Sequence, residues 1–430
     1  MSLTLIGFIM VVVTFLIVLS KKVHMIIPFI LIPVLCAIIA GIPLSDISSY
    51  VVSGVASTNN AVILILFSVA YFSLLSETGM FDIIVQKLVT ITKNNIYVVM
   101  LCTIVVALIG HLDGAYNTTY LITIPTLLPL YKKLRIDSRF LMLLTIMGAT
   151  AMCIAPWSAS IVQLTPFAGV EAMELSKRLL PYGILTFFLA VGVALIAARY
   201  TIVKNSKVSL SYGPVSDTTL DTSVKELARP ERFWINFLIF VVSIACLFLV
   251  KIQVYILFMI FTCITLVINY PGAAEQGKLI KKYSAAMLAP ALLFISIGVM
   301  VGIMKESGMV DGMIQVILNL IPSSMARYTH IIFGLLLVPL YIVLPYQVML
   351  PIYPILIGIG SSLGIPPAAI MMVFALQYGT ACSPLVAATN LGAELAGINV
   401  IDHMKFSFFP CWICSIILIA AMVITGIAFI

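Results

Sequence analysis

The sequence Glu77-Thr-Gly-Met-Phe-Asp-Ile-Ile-Val-Gln86 occurs a second time as Glu306-Ser-Gly-Met-Val-Asp-Gly-Met-Ile-Gln315. Glu, Gly, Met, Asp and Gln recur at identical spacing, 229 positions apart (306 minus 77), in a chain of 430 residues. Each copy follows an apolar stretch and precedes an apolar segment that is punctuated by Pro, Gly and Thr. A duplication at half the chain length predicts two structural repeats, an organisation common among membrane transporters.

The composition indicates a membrane protein. Hydrophobic residues make up 62% of the chain and charged residues 9%, and the mean hydropathy is +1.21. A soluble fold of this size does not bury so much apolar surface, so the bilayer is the predicted solvent. The first apolar segment, 3–19, lacks a basic flank and a small-residue cleavage site and is predicted to be a retained membrane helix. The cysteines are scattered through apolar segments, which favours packing over a disulfide framework.

The placement of charge predicts the topology. Apolar stretches that cross the membrane are predicted at 3–20, 24–41, 60–75, 138–165, 180–200, 233–250, 252–271, 284–304, 366–396 and 404–430. Two further apolar regions, 96–134 and 328–362, are interrupted near their middles and are predicted to be re-entrant hairpins. With the N-terminus outside, five basic residues fall on the outer side and 18 of the 23 (23 minus 5) fall inside. The basic residues that produce the net charge of +7 lie at helix ends, where membrane topology explains them. No nucleic-acid partner is therefore predicted.

The predicted fold class is an all-α polytopic membrane protein with two inverted five-helix repeats, each containing a re-entrant hairpin and a broken transmembrane helix. Both termini are predicted to lie outside the cell membrane. Mixed apolar and polar residues predict two interfacial helices that lie along the membrane surface. The predicted boundaries are 1–200 for repeat one, 201–231 for a cytoplasmic linker, 232–430 for repeat two, 138–165 and 366–396 for the broken helices, and 80–93 and 309–322 for the interfacial helices.

Four irregular segments at membrane depth are predicted to form one central site, because such backbone survives only where protein buries it or a wet cavity surrounds it. A proline inside a helix frees a carbonyl that coordinates cations, and exposed helix N-termini attract anions. The predicted structural breaks are Pro156, Pro345 and Pro384. The predicted substrate-binding residues are Asn117, Thr118, Thr119, Ser158, Ser160, Tyr346, Gln347, Ser383, Thr389 and Asn390.

Asp113 is the carboxylate that falls well inside a hydrophobic region, so it is predicted to bind the coupling cation or proton. A capping role at the hairpin tip is the structural alternative, and the two roles are compatible. His111 is predicted to join a proton relay, with a packed, neutral imidazole as its alternative. For the threonines, bonding to their own helix backbone is the alternative to substrate contact. The repeated Glu-[Thr/Ser]-Gly motif is interpreted as a helix end.

Six motifs carry a resemblance to a known family. They lie at 112–114 (Leu-Asp-Gly), 118–123, 128–134, 154–157 (Ile-Ala-Pro-Trp), 383–386 (Ser-Pro-Leu-Val) and 402–406 (Asp-His-Met-Lys-Phe). On these residues the chain resembles a divergent member of the citrate–divalent-metal:proton symporter family, CitMHS, within the ion transporter superfamily. The resemblance implies a secondary carrier, often dimeric, that couples a carboxylate to H⁺ or Na⁺.

The chain departs from the family pattern at both tips. Asp113-Gly114-Ala115-Tyr116 and Pro345-Tyr346-Gln347 each lack an acidic residue of the family, and no basic residue follows the Pro-Trp break within 158–176. These departures favour a less highly charged, bulkier or more apolar organic acid over metal–citrate as the substrate.

Two functions are predicted. The first is secondary active transport of an organic acid anion, citrate-like or another carboxylate, coupled to H⁺ or Na⁺ by alternating access, with a divalent metal as possible co-cargo. The alternative is a Na⁺/H⁺ or other cation exchanger of the same fold without an organic substrate. Neither a resident metal site nor a cofactor is predicted. Enzyme activity is not predicted either, because no second deep carboxylate or catalytic pair accompanies Asp113. The predicted partners are the solute, the lipid bilayer and a second copy of the chain.

Overall fold

The computed structural model describes residues 2–206, 227–376 and 378–430, and every regular element within these ranges is helical. The α-helices are α1 (Leu3–Ser20), α2 (Ile26–Ile39), α3 (Leu44–Glu77), α4 (Met80–Ile91), α5 (Ile96–Gly110), α6 (Tyr116–Lys133), α7 (Ser138–Met152), α8 (Ala159–Val162), α9 (Thr165–Ala168), α10 (Ala172–Ser206), α11 (Phe233–Leu249), α12 (Val254–Asn269), α13 (Ala273–Glu306), α14 (Met309–Leu320), α15 (Ser323–Ala326), α16 (Thr329–Val343), α17 (Tyr353–Ser362), α18 (Pro367–Met372), α19 (Gly379–Cys382), α20 (Ala387–Ala396) and α21 (Val400–Ile424). The predicted all-α class is confirmed.

Long apolar runs and polar caps explain why these helices form. Ser2, Asn95, Asp137 and Asn399 accept hydrogen bonds from first-turn N–H groups at the starts of α1, α5, α7 and α21. Six helices of the described chain are long and apolar enough to cross a membrane, namely α1, α3, α10, α11 with the turn before it, α13 and α21. A multi-pass membrane protein follows from this set.

Two helices of 34 residues, α3 and α13, form the centre of the fold. Their boundaries are 229 positions apart at both ends (273 minus 44 and 306 minus 77). A helix of this length spans about 51 Å at 1.5 Å per residue, so it exceeds a hydrocarbon core of about 30 Å and must tilt or project. The sequence predicts shorter spans, 60–75 and 284–304, because the first turns of both helices are polar.

The two long helices pack antiparallel along their length. Near the start of α3, Ser53 donates to Glu306 at the end of α13 (3.3 Å), and near the start of α13, Lys282 donates to Glu77 at the end of α3 (2.8 Å). The repeat shift relates the two pairs, because 282 minus 229 is 53. Antiparallel packing of two helices with equivalent boundaries is the arrangement that inverted repeats require.

Glycines allow this contact to be close. A Cβ atom on Gly54 would lie 2.1 Å from the carbonyl oxygen of Gly298 and 2.7 Å from Cα of Gly302. Small residues at such a crossing let the two backbones meet, as is common between membrane helices.

The repeated motif marks equivalent helix ends. Gly79 and Gly308 have φ values of 79° and 75°, which end the long helices and start α4 and α14, each of 12 residues. Glycine adopts this left-handed backbone without steric cost. The structural interpretation of the motif therefore matches the geometry, and α4 and α14 fall within the predicted interfacial segments.

The remaining predicted segments have the following helical content. The first hairpin region contains α5 and α6, and the second contains α16 and α17. The segment 138–165 contains α7 and α8 and the start of α9, and the segment 366–396 contains α18, α19 and α20. Helix α10 continues to Ser206, so the first residues of the predicted linker 201–231 are helical. Residues 207–226 of that linker lie outside the described residues. The repeat boundaries, the re-entrant character of the hairpins and the orientation of the termini stay predictions.

Candidate functional site

The tip of the first hairpin is a tight turn that Asp113 stabilises. Helix α5 ends at Gly110, α6 starts at Tyr116, and Gly114 between them has a φ of 75°. One carboxylate oxygen of Asp113 accepts the N–H of Ala115 (2.9 Å), and Thr118 is also close to this carboxylate. This bond closes the turn before α6, whose N-cap residue is Ala115, and leaves the first-turn N–H groups of the helix uncapped by a side chain. Because a carboxylate offers about four lone-pair sites, contacts with Ala115, Thr118 and its own backbone N–H still leave capacity for a cation.

The tip rests directly on the first break. The indole Nε1 of Trp157 donates to the Leu112 carbonyl (2.6 Å). A Cβ atom on Gly114 would lie 3.2 Å from Cα of Ser158, so only a glycine fits this approach closely. The buried hydroxyl of Ser158 donates to the Cys153 carbonyl (2.5 Å) and accepts the N–H of Ile161 (3.2 Å). Both irregular segments of the first half are therefore joined into one structural unit.

The first break also contacts the central helices. Pro156 and Trp157 are buried, and the Trp157 ring stacks on Phe72 of α3, with centroids 5.3 Å apart. An edge-to-face contact joins the same indole to Phe258 of α12 at 5.4 Å. Ser160, one residue into α8, is half-buried.

His111 connects the two arms of the first hairpin. Its Nδ1 lies 2.8 Å from the hydroxyl of Thr119, and its Nε2 lies 3.6 Å from Sγ of Cys153. The Thr119 hydroxyl is directed at the carbonyls of Ala115 (2.9 Å) and Gly110 (3.3 Å). Because a hydroxyl has one proton, Thr119 donates to a carbonyl and accepts from the imidazole. This arrangement matches the packed, neutral alternative for His111.

The second break lies against the first hairpin. Thr389 of α20 donates to the Ala381 carbonyl (3.2 Å), and the Asn390 amide donates to the Pro384 carbonyl (2.9 Å). The buried hydroxyl of Ser383 accepts the N–H of Leu385 (3.2 Å). Helices α20 and α6 pack so closely that a Cβ atom on Gly392 would meet the ring of Tyr120 at 3.0 Å. The structure thus brings three of the four predicted segments together.

The second tip has different neighbours. Pro345 is buried and starts a 3₁₀ turn, Tyr346–Met349, which contacts α1. Tyr346 and Gln347 on this turn are half-buried. On the first tip Asn117 is exposed and Thr118 is half-buried, so both are accessible from outside the protein core.

Several buried polar groups near the second break were missed by sequence reasoning. The hydroxyls of Tyr120 and Tyr378 and Nε2 of His403 are buried without a hydrogen-bond partner among the described residues. Tyr120 is near Cys382 and Thr389. The motifs 118–123 and 402–406 contain two of these residues, but apolar surroundings in the sequence gave no sign that their polar atoms lack partners.

The candidate site lacks basic side chains. Segments 96–131, 153–176 and 328–404, which include all four predicted pieces, contain no lysine or arginine. Helices α6 and α20 begin after Ala115 and Val386, whose side chains cannot cap, so their first-turn N–H groups are the available positive ends. Asp113 supplies the opposite charge.

The comparisons with known proteins identify the family. The profile of the citrate transporter family, CitMHS, matches residues 8–344, well over half of the chain. The chain belongs to the citrate transporter family. A Bacillus subtilis (strain 168) relative described as a citrate transporter is 28% identical over 427 residues, covering 99% of each chain. A second relative from that strain, a Mg(2+)/citrate complex secondary transporter, is 27% identical over 426 residues, covering 99% of this chain and 98% of its own.

The fold of this citrate transporter family member also resembles a solved structure. The crystal structure of the YdaH transporter of Alcanivorax borkumensis, described as having an unusual topology, matches with a TM-score of 0.54 at 13% identity and covers 87% of this chain and 88% of its own. At this identity the likeness concerns the fold alone. The family and its named relatives are transporters rather than enzymes, so the predicted resemblance and the absence of enzyme function are confirmed.

Proposed function

We propose that this citrate transporter family member is a secondary active transporter of a citrate-like carboxylate, coupled to H⁺ or Na⁺ by alternating access. The observation that carries the proposal is the docking of the Asp113 tip on the Trp157-Ser158 break. It unites a deep carboxylate with freed backbone groups in a protein whose relatives carry citrate. The alternative, cation exchange without an organic substrate, finds no counterpart in the names of these two relatives.

The charge of the site favours a carboxylate that travels with a cation. Bare citrate carries three carboxylates, and Asp113 would repel it where no lysine or arginine compensates. A divalent metal chelated by the carboxylates removes most of that charge and matches the cargo of one relative. The remaining negative charge is suited to the N-termini of α6 and α20. The metal is then substrate, bound through citrate and Asp113.

A monoanionic or dianionic organic acid without metal is the second candidate substrate. The same absence of lysine and arginine, together with the uncharged second tip, supports it. Transport of such an acid, with no gain from Mg²⁺, would distinguish it from metal–citrate.

Alternating access is proposed to move the hairpins and breaks past α3 and α13. The long helices make a close glycine-mediated contact suited to a fixed scaffold, and the first tip and break are bonded to each other as one body. A homodimer in the cell membrane, with both termini outside, completes the proposal.

The test is uptake of radiolabelled citrate by the purified protein in proteoliposomes, with and without Mg²⁺, under an imposed pH or Na⁺ gradient. Asp113→Asn should lower uptake at least about tenfold, because a coupling cation loses its charged ligand. Asp311→Asn is the matched control, since Asp311 is exposed at the start of α14 and should leave uptake unchanged.

Two results would count against the proposal. Gradient-driven uptake that survives in Asp113→Asn refutes the role of the carboxylate. Flux of Na⁺ or H⁺ that needs no added solute, with no uptake of any carboxylate, supports the exchanger instead.

A further inference from the structure

The four histidines of the chain differ in what their rings can do. His24 is exposed, and Nε2 of His330 is bonded to the Ala428 carbonyl (2.9 Å). Both ring nitrogens of His111 face a partner, Thr119 and Cys153. His403 is fully buried, and its Nε2 has no hydrogen-bond partner in the part of the chain that the structure describes. Among the four, its imidazole is therefore the buried one with a nitrogen still available.

His403 lies between α21 and the second break. Its Nδ1 is 3.2 Å from the hydroxyl of Ser407, one turn further along α21. The carbonyl of Ala381 lies beside the ring. That carbonyl accepts the hydroxyl of Thr389 (3.2 Å), a predicted substrate-binding residue. A protonated imidazole has two N–H donors, and this site offers Ser407 Oγ for one and the Ala381 carbonyl for the other.

Within the described ranges, the elements around His403 provide no buried carboxylate to balance a cationic ring. The titratable groups around this end of α21 are Tyr120 of α6, Tyr378 and Cys382 at the second break, Arg139 of α7, Arg199, Tyr200 and Lys204 of α10, Tyr341 of α16, Glu394 of α20, and Asp402, Lys405, Cys411 and Cys414 of α21. Every lysine, arginine and carboxylate in that set is at least partly exposed. An anion bound at the adjacent break would therefore be the closest source of compensating negative charge.

The geometry points to His403 as the residue that takes up the coupling proton. The inference rests on the proposed carboxylate transport and selects H⁺ from its two coupling ions. With substrate at the break, the imidazole binds a proton at its available nitrogen and keeps it, and the new N–H donates a hydrogen bond to the Ala381 carbonyl, which draws α21 and the break together. When the carboxylate leaves, the isolated cation in an apolar site loses its proton to the opposite side. Because binding couplings are reciprocal, proton uptake at His403 strengthens substrate binding by the factor with which substrate strengthens proton binding.

His111 has less freedom to perform this step. Its Nδ1 proton is held by Thr119, and a second proton on Nε2 would have to donate to the thiol of Cys153, a weak acceptor. It thus serves as a positioning residue that holds the hairpin tip. The two histidines make a matched pair for experiment.

The experiment uses the full chain in proteoliposomes loaded with a fluorescent pH indicator, with Mg²⁺–citrate as the probe. Wild-type protein should acidify the lumen when substrate is added outside. His403→Gln should lose this proton flux at least about tenfold and lose the pH dependence of uptake, while citrate counterflow at equal pH stays within about threefold. The control is His330→Gln. His330 is a histidine of similar burial in α16, beside the other end of α21. This variant should keep both the proton flux and the pH profile.

Ser407→Ala provides a second variant that retains the imidazole. Loss of the Nδ1 partner should shift the pH midpoint of uptake towards acid without lowering counterflow, a change that a merely structural role would not produce. Proton flux and pH profile that remain at wild-type levels in His403→Gln overturn the inference and leave the proposed function intact. Na⁺-driven uptake with no proton flux in the wild type also overturns it, whereas absence of any carboxylate uptake overturns the proposed function itself.

Discussion

The two copies of the repeated glutamate should differ sharply in their contribution to stability. The side chain of Glu77 is 3% exposed and accepts hydrogen bonds from Lys282 Nζ (2.8 Å) and the hydroxyl of Tyr283. Its equivalent, Glu306, is exposed and accepts a 3.3 Å bond from Ser53. The same residue type at the same repeat position thus occupies a buried ion pair at one end of the α3–α13 pair and water-accessible surface at the other.

The structure sets the expected magnitudes. A charge-assisted hydrogen bond contributes about 1.5–3 kcal/mol, and Lys282 falls near the lower limit because its side chain is 53% exposed and regains water. Loss of the acceptor also strands the Tyr283 hydroxyl, at about 1 kcal/mol more. Glu77→Ala should therefore cost about 2.5 kcal/mol of unfolding free energy, and Glu306→Ala less than about 0.5 kcal/mol.

The assay is reversible unfolding by denaturing detergent in mixed micelles, followed by tryptophan fluorescence. Glu77→Gln should lie between wild type and Glu77→Ala, because an amide still accepts from Tyr283 without pairing the lysine charge. A Glu77–Lys282 double-mutant cycle isolates the pair from the remaining contacts of Glu77. Equal losses for Glu77→Ala and Glu306→Ala would refute the reasoning.

Three further predictions concern the helix contact, the hairpin tip and the turn between α6 and α7. Gly54→Ala should destabilise the protein by about 1–3 kcal/mol or more, because its Cβ would overlap the backbone of Gly298 and Gly302. The control is Gly192→Ala in the middle of α10, where a Cβ meets open space, and it should be neutral or stabilising in the same unfolding titration. Gly114→Ala should reduce citrate uptake more than Gly308→Ala, since both have a φ of 75° but only Gly114 also meets a neighbouring backbone, at Ser158. Burial alone would raise the pKa of Asp137, but the hydrogen bonds and charge of Arg139 outweigh it and lower that pKa. Wild-type protein should therefore be up to about 1 kcal/mol more stable than Asp137→Asn at pH values above the unfolded pKa of about 3.9. This difference should vanish as the pH falls through the lower folded pKa, and unfolding titrations at several pH values would measure it.

The sequence determined the helical class, the membrane setting and the internal register. Apolar composition leaves no other solvent, and the 229-residue shift predicts helix ends that the structure places at equivalent positions, such as Glu77 and Glu306. Local sequence is enough to predict these helix ends, because a glycine with a left-handed backbone conformation commonly ends a helix. The motifs at 112–114 and 154–157 likewise mark a tip and a break that the structure joins through the Trp157–Leu112 hydrogen bond.

Tertiary structure alone decided which polar groups meet partners. Periodicity treats His111 and His403 alike, as single histidines within apolar sequence, yet one is held by Thr119 and the other keeps Nε2 without a partner in the described chain. Helix length was underestimated for α3 and α13 because their polar first turns hide helix that the partner helix stabilises. The antiparallel contact at Gly54 and the ion pair of Glu77 are likewise products of packing, since residues more than two hundred positions apart determine them. Sequence fixes what each segment prefers by itself, whereas burial and pairing are properties of the neighbours that folding supplies.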